Sequence, residues 1–243
     1  MADNNFKALE WDATGEKFYE TGVKKGVLYV YNSTTKAYGN GVAWNGLTAV
    51  TESPSGAEAT PLYADDIKYL NLVSAEEFGA TIEAYTYPDE FGVCDGSAEV
   101  ATGMYAGQQS RSTFAFAYQT VVGNDIQNND YGYKLHIVYG CLAAPSEKAY
   151  ATINDSPEAI TFSWEVSTTP VDVTIGGKVK KTALITLDST KVGKDVMKTI
   201  EDKLYGVTTV AQSEGTTAVT GNAPTLLMPD EIAAIISAAA SNG

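Results

Sequence analysis

Hydrophobic and polar residues alternate along most of this chain with the two-residue period of β-strands. The clearest case is Phe114, Phe116 and Tyr118, which alternate with small or polar residues. The same pattern predicts further strands at residues 26–31, 67–73, 78–84, 131–139, 160–166, 171–175 and 178–187. Because no helical pattern separates these strands, the chain is predicted to be mainly β, as a sandwich or barrel.

A long polar segment interrupts the pattern at residues 51–66, with Ser53-Pro54-Ser55-Gly56 at its predicted crest. We interpret it as a projecting loop or hairpin. The strand that follows, residues 67–73, has hydrophobic residues at both alternating sets of positions and is expected to be buried on much of both faces. Upstream, Asn45-Gly46 changes the register, and a bulge is favoured over a hairpin turn because the flanking segments are too short to pair well.

Two helices are predicted near the C-terminus. Gly206 marks the end of an amphipathic helix and Pro229 the beginning of a short one. The apolar residues of the amphipathic helix recur every four positions behind Asp188-Ser189, at Val192, Val196, Ile200 and Leu204. The predicted organisation is an extended N-terminal arm (1–24), a β domain with its flanking helix (25–205), and a C-terminal linker with a short helix (206–243).

The chain is acidic, with 30 Asp and Glu against 16 Lys and Arg and a formal charge of −14. Eleven of the carboxylates lie in residues 51–100, where Lys68 is the one basic residue. Clustered charge creates a local field, so an acidic face is predicted in this region. With Arg111 as the single arginine, the composition argues against a protein that grips nucleic acid, because tight binding requires Lys and Arg at the phosphates.

No residue pattern typical of an active site is present. The single histidine, His136, lacks a framing Ser, Cys or Asp motif, and a structural or solvent-facing role is predicted. A zinc site is excluded because one histidine and two distant cysteines cannot supply its ligands. Glycosidases use two catalytic carboxylates, and the candidates for such a pair are Glu83, Asp89, Glu90 and Glu165. Because carboxylates are abundant in this chain, two of them can lie close together by chance, and the pair is weak evidence for an enzyme. We therefore predict no enzymatic activity, no metal and no cofactor.

Export and membrane insertion are not predicted either. The N-terminal residues have no basic start and no apolar run, and no segment reaches the roughly 20 apolar residues of a membrane helix. Without an export signal, Cys94 and Cys141 are expected to be free structural thiols rather than a disulfide.

Several motifs occur in a distinctive order. They are WNGLTAVTESPSGAE at 44–58, LYADD at 62–66 and YTYPDEF at 85–91, followed by segments 124–133, 139–152 and 162–170. This ordered set resembles the major tail tube proteins of long-tailed (siphovirus-type) double-stranded DNA bacteriophages. The resemblance covers about residues 10–175 well and the remainder loosely. It implies a tail-tube-type β fold and a structural virion protein, assembled in the host bacterial cytoplasm and located in the phage tail.

Proteins of that family form hexameric rings that stack into a tube through which the genome passes during ejection. The resemblance therefore implies that the partners are further copies of the chain, other tail proteins at the tube ends, and DNA that passes without specific binding. The ring-to-ring contact is expected at the projecting segment, through Glu52, Ser53, Pro54, Ser55, Gly56, Leu62 and Tyr63. An acidic lumen face is expected at Glu76, Glu77 and Glu83. The alternative is a monomeric, surface-displayed β-sandwich that binds a glycan or protein through its Tyr-rich faces.

Overall fold

The structure is a computed structural model that describes residues 8–153, 155, 158–210 and 219–241. These residues are mainly β, as predicted. The strands are β1 (Phe18–Asn32), β2 (Ala37–Tyr38), β3 (Val42–Trp44), β4 (Leu47–Glu52), β5 (Ser55–Gly56), β6 (Ala59–Ala64), β7 (Ile67–Val73), β8 (Glu76–Glu77), β9 (Gly79–Ala84), β10 (Ala98–Ala101), β11 (Met104–Ala106), β12 (Phe114–Asn124), β13 (Asn128–Ala143), β14 (Phe162–Thr168), β15 (Val171–Ile175), β16 (Lys178–Thr182) and β17 (Leu184–Asp188). The helices are α1 (Ser189–Val192), α2 (Lys194–Tyr205) and α3 (Pro229–Ser241), and Asp89–Val93 forms a 3-10 helix.

The main sheet has the strand order β2-β1-β12-β13-β14-β9-β4, with β3 also paired to β1 and β17 to β13. All of these pairs are antiparallel. The sheet curls upon itself. Strand β3 pairs with β1, whereas β4, which begins after two intervening residues, pairs with β9 near the other edge of the sheet. Asn45-Gly46, where a register change is predicted, is the point at which the chain crosses from one side of the curl to the other.

The central strands are buried on both faces, and this produces two hydrophobic clusters. Leu135 and Ile137 of β13 belong to the cluster that packs against α2 and α3. Phe116 of β12 belongs to the cluster inside the curl. There the ring of Phe91, supplied by the 3-10 helix, lies 4.5 Å from Trp44 and 5.1 Å from Trp164 between ring centroids. Such aromatic contacts stabilise the core beyond simple area burial.

The amphipathic helix begins later than the sequence pattern predicts. Asp188 caps the short α1, where its carboxylate accepts a 2.9 Å hydrogen bond from the backbone N–H of Thr190. The chain then breaks at Gly193, whose φ of +90° is rarely adopted by residues with a Cβ. Helix α2 ends at Gly206, as predicted. Its buried residues are Met197, Ile200 and Leu204.

The C-terminal segment packs onto the β domain. Leu227 is buried, and its carbonyl accepts a 2.8 Å hydrogen bond from the Tyr139 hydroxyl. Helix α3 begins at Pro229, as predicted, and the Asp230 carboxylate accepts hydrogen bonds from the backbone N–H and the hydroxyl of Thr174. Residues 211–218 of the predicted linker lie outside the described residues.

At the other end of the chain, β1 begins at Phe18, so residues 18–24 of the predicted N-terminal arm are strand and pair with β12. The first seven residues lie outside the described part. Cys94 and Cys141 are free and buried, as predicted. Burial also raises the pKa of both thiols, that of Cys94 to about 12, so neither side chain is available as a reactive thiolate at neutral pH.

Candidate assembly surface

A long two-stranded ribbon extends beyond the paired ends of β4 and β9. Strands β5 and β6 form its outgoing limb, and β7 and β8 its returning limb. β5 pairs with β8 near the base, and β6 pairs with β7 further out. We call residues 53–77 the arm. The chain reverses at Asp65-Asp66, where both φ angles are positive, 51° and 63°, as in the tight turns that suit twisted hairpins and that aspartate tolerates. The tip of the arm is therefore at Asp65-Asp66.

The predicted crest at Ser53-Pro54-Ser55-Gly56 is wrong. These residues lie at the base of the outgoing limb, where Ser55 pairs with Glu77 and Gly56 with Glu76. A Cβ at Gly56 would lie 2.3 Å from the carbonyl oxygen of Ala75. The glycine thus permits a close approach of the two limbs. The turn-forming residues 53–56 make an irregularity within the extended ribbon, and the chain does not reverse its direction there.

The prediction that residues 67–73 are buried on both faces is also wrong. Every residue of the arm is exposed, and Ile67, Tyr69 and Val73 expose 65%, 68% and 64% of their surface. The hydrophobic residues are present as the pattern indicates. However, no element within the described residues packs over them.

The exposed hydrophobic residues lie on both faces of the arm. Leu62 is paired with Leu70 across the ribbon, and Thr60 with Leu72, so these side chains share one face. Val73 and its partner Ala59 belong to the other face. An isolated two-stranded ribbon is at best marginally stable in water, and exposed apolar surface of this kind commonly marks an interaction site. The arm is therefore the best candidate for a surface that another molecule covers.

The root of the arm is held by a polar contact with the main sheet. Glu52, the last residue of β4, accepts a 2.6 Å hydrogen bond from the Tyr118 hydroxyl. Its carboxylate also lies 3.4 Å from Nδ1 of His136, whose ring stacks on Tyr118 with centroids 4.7 Å apart. The other ring nitrogen of His136 lies 3.0 Å from the Thr120 hydroxyl. His136 therefore has the structural role predicted for it.

Burial lowers the pKa of His136 below its ordinary value of 6.5. The nearby carboxylates of Glu52 and Glu20 act in the opposite direction, and Lys134 adds to the effect of burial. The removal of the ring from water outweighs the carboxylates, so the neutral imidazole is favoured at neutral pH.

The residues predicted to contact the next ring are spread along the arm. Glu52 lies at its root and the Ser53–Gly56 segment at its base, whereas Leu62 and Tyr63 lie near the tip. Leu62 and Tyr63 are on the outgoing strand β6, and Tyr63 exposes 71% of its surface. The sequence reasoning missed the apolar residues of β7, because a hydrophobic strand is ordinarily assigned to a core.

The three residues predicted to form an acidic face do not lie together. Glu76 and Glu77 are neighbours on β8, so their side chains point to opposite faces of the arm. Glu83 lies on β9 between the buried residues Ile82 and Ala84, and it therefore points away from the interior of the curl.

Two open strand edges form a second feature that the sequence did not indicate. At the end of the main sheet that holds residues 18–24 of β1, the strand order is β17-β13-β12-β1, and within the described residues β17 pairs only with β13. On the other side, residues 18–24 of β1 pair with β12 and with no other strand in the part of the chain that the structure describes. Unpaired backbone N–H and C=O groups at such edges can pair with another strand.

The single arginine has a structural role. Arg111 donates to the carbonyl oxygens of Ala143 and Ala144 and lies 3.5 Å from the carboxylate of Asp95. Asp95 also accepts from Lys148 at 2.5 Å and from the indole N–H of Trp164 at 3.2 Å. This guanidinium is therefore committed to contacts within the chain.

Residues 8–153, 155, 158–210 and 219–241 contain no group of three or more His, Cys, Asp or Glu side chains that could hold a metal ion. Among the helices of these segments, none is long and apolar enough to cross a membrane.

No model of a known protein family matches this sequence, and no curated protein matches it. Among solved structures, a chain from the 6-fold symmetrised cryo-EM structure of the anti-feeding prophage baseplate is similar with a TM-score of 0.34 and 8% sequence identity. The match covers 75% of this chain and 99% of that one. A likeness this weak supports no statement about the fold or the function of the present protein.

Proposed function

We propose that this protein is a non-enzymatic structural subunit that assembles into stacked rings, hexameric by resemblance, and so forms the tail tube of a long-tailed bacteriophage. The observation that carries the proposal is the arm, which projects from the β domain with hydrophobic residues exposed on both faces. A surface of this kind requires a partner, and in a homo-oligomer the partner is a second copy of the chain.

Ring formation is supported by the two open edges. If β17 of one copy lies beside residues 18–24 of β1 in the next, the sheet β17-β13-β12-β1 continues from subunit to subunit. Repetition of this pairing around an axis closes a barrel and removes both of these open edges. The arm then extends out of the ring toward the next one, and this heterologous contact propagates into a tube.

The lumen would be lined by one face of that continuous sheet. Helix α2 covers one face, where Gln119 donates a 2.7 Å hydrogen bond to Glu201. The opposite face carries mainly polar side chains, Glu20, Thr120, Lys134, Thr186 and Asp188. Glu76 and Glu77 on β8 and Glu83 on β9 lie outside this sheet, so they are not part of the proposed lining. Glu20 and Asp188 are acidic and Lys134 pairs with Glu20, so the named charged side chains would give this lining a small negative charge that repels DNA phosphates.

Electron microscopy with size-exclusion chromatography tests the proposal. The purified protein is expected to form rings or tubes at high concentration, equally with and without a chelator. A monodisperse monomer at millimolar concentration would reject it and favour the surface-displayed binding domain.

A further inference from the structure

A cleft lies at the opposite end of β4 from the arm. It has a volume of about 490 Å³ and lies between the middle of β1, the β3–β4 crossing and the C-terminal end of α2. The residues that matter below are Val23, Lys24, Lys25, Leu47, Tyr205 and Pro224. Leu47 is the first residue of β4 and Glu52 the last, so the cleft and the root of the arm are separated by about 17 Å of extended chain.

Two lysines are presented at this cleft by an irregularity in β1. The pairing of β1 with β12 shifts register on both sides of Lys24, and Lys25 has a φ of +53°. Bulges of this kind re-aim side chains out of the ladder. The Nζ atom of Lys25 lies 5.5 Å from the centre of the Tyr205 ring. Neither lysine forms an ion pair with another residue in the described part of the chain.

The tip of the arm has the complementary chemistry. Asp65 and Asp66 are exposed side by side at the reversal, and the hydrophobic Ile67 and Leu62 lie directly behind them. Neither aspartate has an ion-pair partner among the described residues. The cleft offers two cations beside an apolar wall, and the tip offers two anions beside apolar side chains.

Position adds to this complementarity. The arm leaves the far end of β4 and continues for about 40 Å of extended chain, so it points away from the cleft of its own subunit. A donor surface and an acceptor surface at opposite ends of one domain produce head-to-tail assembly that does not close.

We propose that the cleft receives the tip of the arm of a second copy of this chain. Asp65 and Asp66 then pair with Lys24 and Lys25, and Ile67 packs against Val23, Leu47 and Pro224. This inference rests on the proposed head-to-tail stacking and adds to it the site on this chain that receives the arm.

Disulfide cross-linking between two variants tests the contact. One protein carries Ala64→Cys at the tip and the other Asn45→Cys at the cleft; both positions are exposed, whereas the native Cys94 and Cys141 are buried. After mild oxidation of the mixture, the mixed disulfide is identified by mass spectrometry. The matched control replaces Asn45→Cys with Val179→Cys, an exposed position on the β15–β16 hairpin.

We expect at least tenfold more mixed disulfide with the cleft variant than with the control. Adding Lys24→Glu and Lys25→Glu to the cleft protein should remove this excess, and adding Asp65→Lys and Asp66→Lys to the arm protein should restore it. Equal yields with cleft and control would overturn the inference. Microscopy of the same samples separates the two proposals: rings or tubes without selective cross-linking refute only the cleft, and selective cross-linking without rings or tubes refutes only the tube.

Discussion

The hydroxyl of Tyr118 donates a 2.6 Å hydrogen bond to the carboxylate of Glu52 and so joins the centre of the main sheet to the root of the arm. Tyr118 is buried, and its burial, together with this bond, raises the pKa of its hydroxyl. The proton therefore stays on Tyr118 at neutral pH, where the hydroxyl remains a hydrogen-bond donor. Because Glu52 is the last residue of β4, the contact constrains the direction in which the arm leaves the domain.

The first prediction concerns this bond. Tyr118→Phe removes the donor while keeping the ring, and a hydrogen bond to a charged acceptor contributes about 1.5–3 kcal/mol. We expect the free energy of unfolding to fall by about 1.5 kcal/mol in chemical denaturation. Tyr105→Phe, at an exposed position on β11, is the control and should have no effect. Equal stability of the two variants would show that the bond contributes nothing.

The second prediction concerns pH. The pKa of His136 is lowered in the folded state, so below its ordinary value of 6.5 the unfolded chain binds the proton more readily than the folded one. The contribution of the neutral ring is thus complete above this pH, and stability is lost as the pH falls through about 6.5 toward the folded-state pKa. Chemical denaturation of the wild type and His136→Gln at about pH 7.5 and about pH 5.5 measures it. The wild type should lose more stability than the variant; parallel losses would contradict the assignment.

The third prediction separates folding from assembly. Replacing the arm, residues 53–77, by an Asn-Gly turn connects Glu52 to Phe78 through two residues and keeps Phe78, which packs against the cluster inside the curl. The domain should keep its stability to within about 1 kcal/mol, because the arm buries little and loop length affects closure entropy only weakly. Tube formation should be lost. Thermal melting and electron microscopy measure the two effects.

A milder variant keeps the arm but replaces Leu70 and Leu72 by Ser. Its control replaces Ile175 and Val179, exposed residues of the β15–β16 hairpin, in the same way. Tubes should be lost only in the arm variant.

For the truncated protein of the third prediction, normal tubes would show that the arm is not the stacking element, and an unfolded product would show that it contributes to the fold.

The fourth prediction concerns Asp95, whose side chain is only 6% exposed and binds Arg111, Lys148 and the Trp164 indole. Asp95→Ala leaves two cations without their shared partner, and breaking a buried ion pair in this way typically costs about 3–5 kcal/mol. We expect a loss of about 3 kcal/mol in the free energy of unfolding. Asp130→Ala, at an exposed position, should change it by less than about 0.5 kcal/mol. Similar effects of the two substitutions would refute a structural role for this carboxylate.

Much of the secondary structure was predictable from local patterns. The alternation at Phe114, Phe116 and Tyr118 indicated a strand, and Gly206 and Pro229 marked the end of α2 and the beginning of α3. These features depend on backbone geometry and side-chain period over a few neighbouring residues, so the sequence alone contains them. The structural role of His136 followed from the absence of any catalytic partner in the sequence.

The location and the surface of the arm were decided only by the tertiary structure. A hydrophobic strand such as residues 67–73 is expected in a core, because its pattern does not say whether the covering surface belongs to the same chain. Strong turn residues at Ser53–Gly56 predicted a reversal, but long-range pairing with β8 keeps that segment extended and places the reversal at Asp65-Asp66.

The open edges of β17 and β1, the contact of Glu52 with Tyr118, and the cleft beside Lys24 all join residues far apart in the chain. The sequence by itself determined where strands and helices form, because each depends on neighbouring residues. Which edges stay unpaired and which side chains meet depends on how the sheet curls. That curl results from the simultaneous packing of both hydrophobic clusters and cannot be read from any single segment.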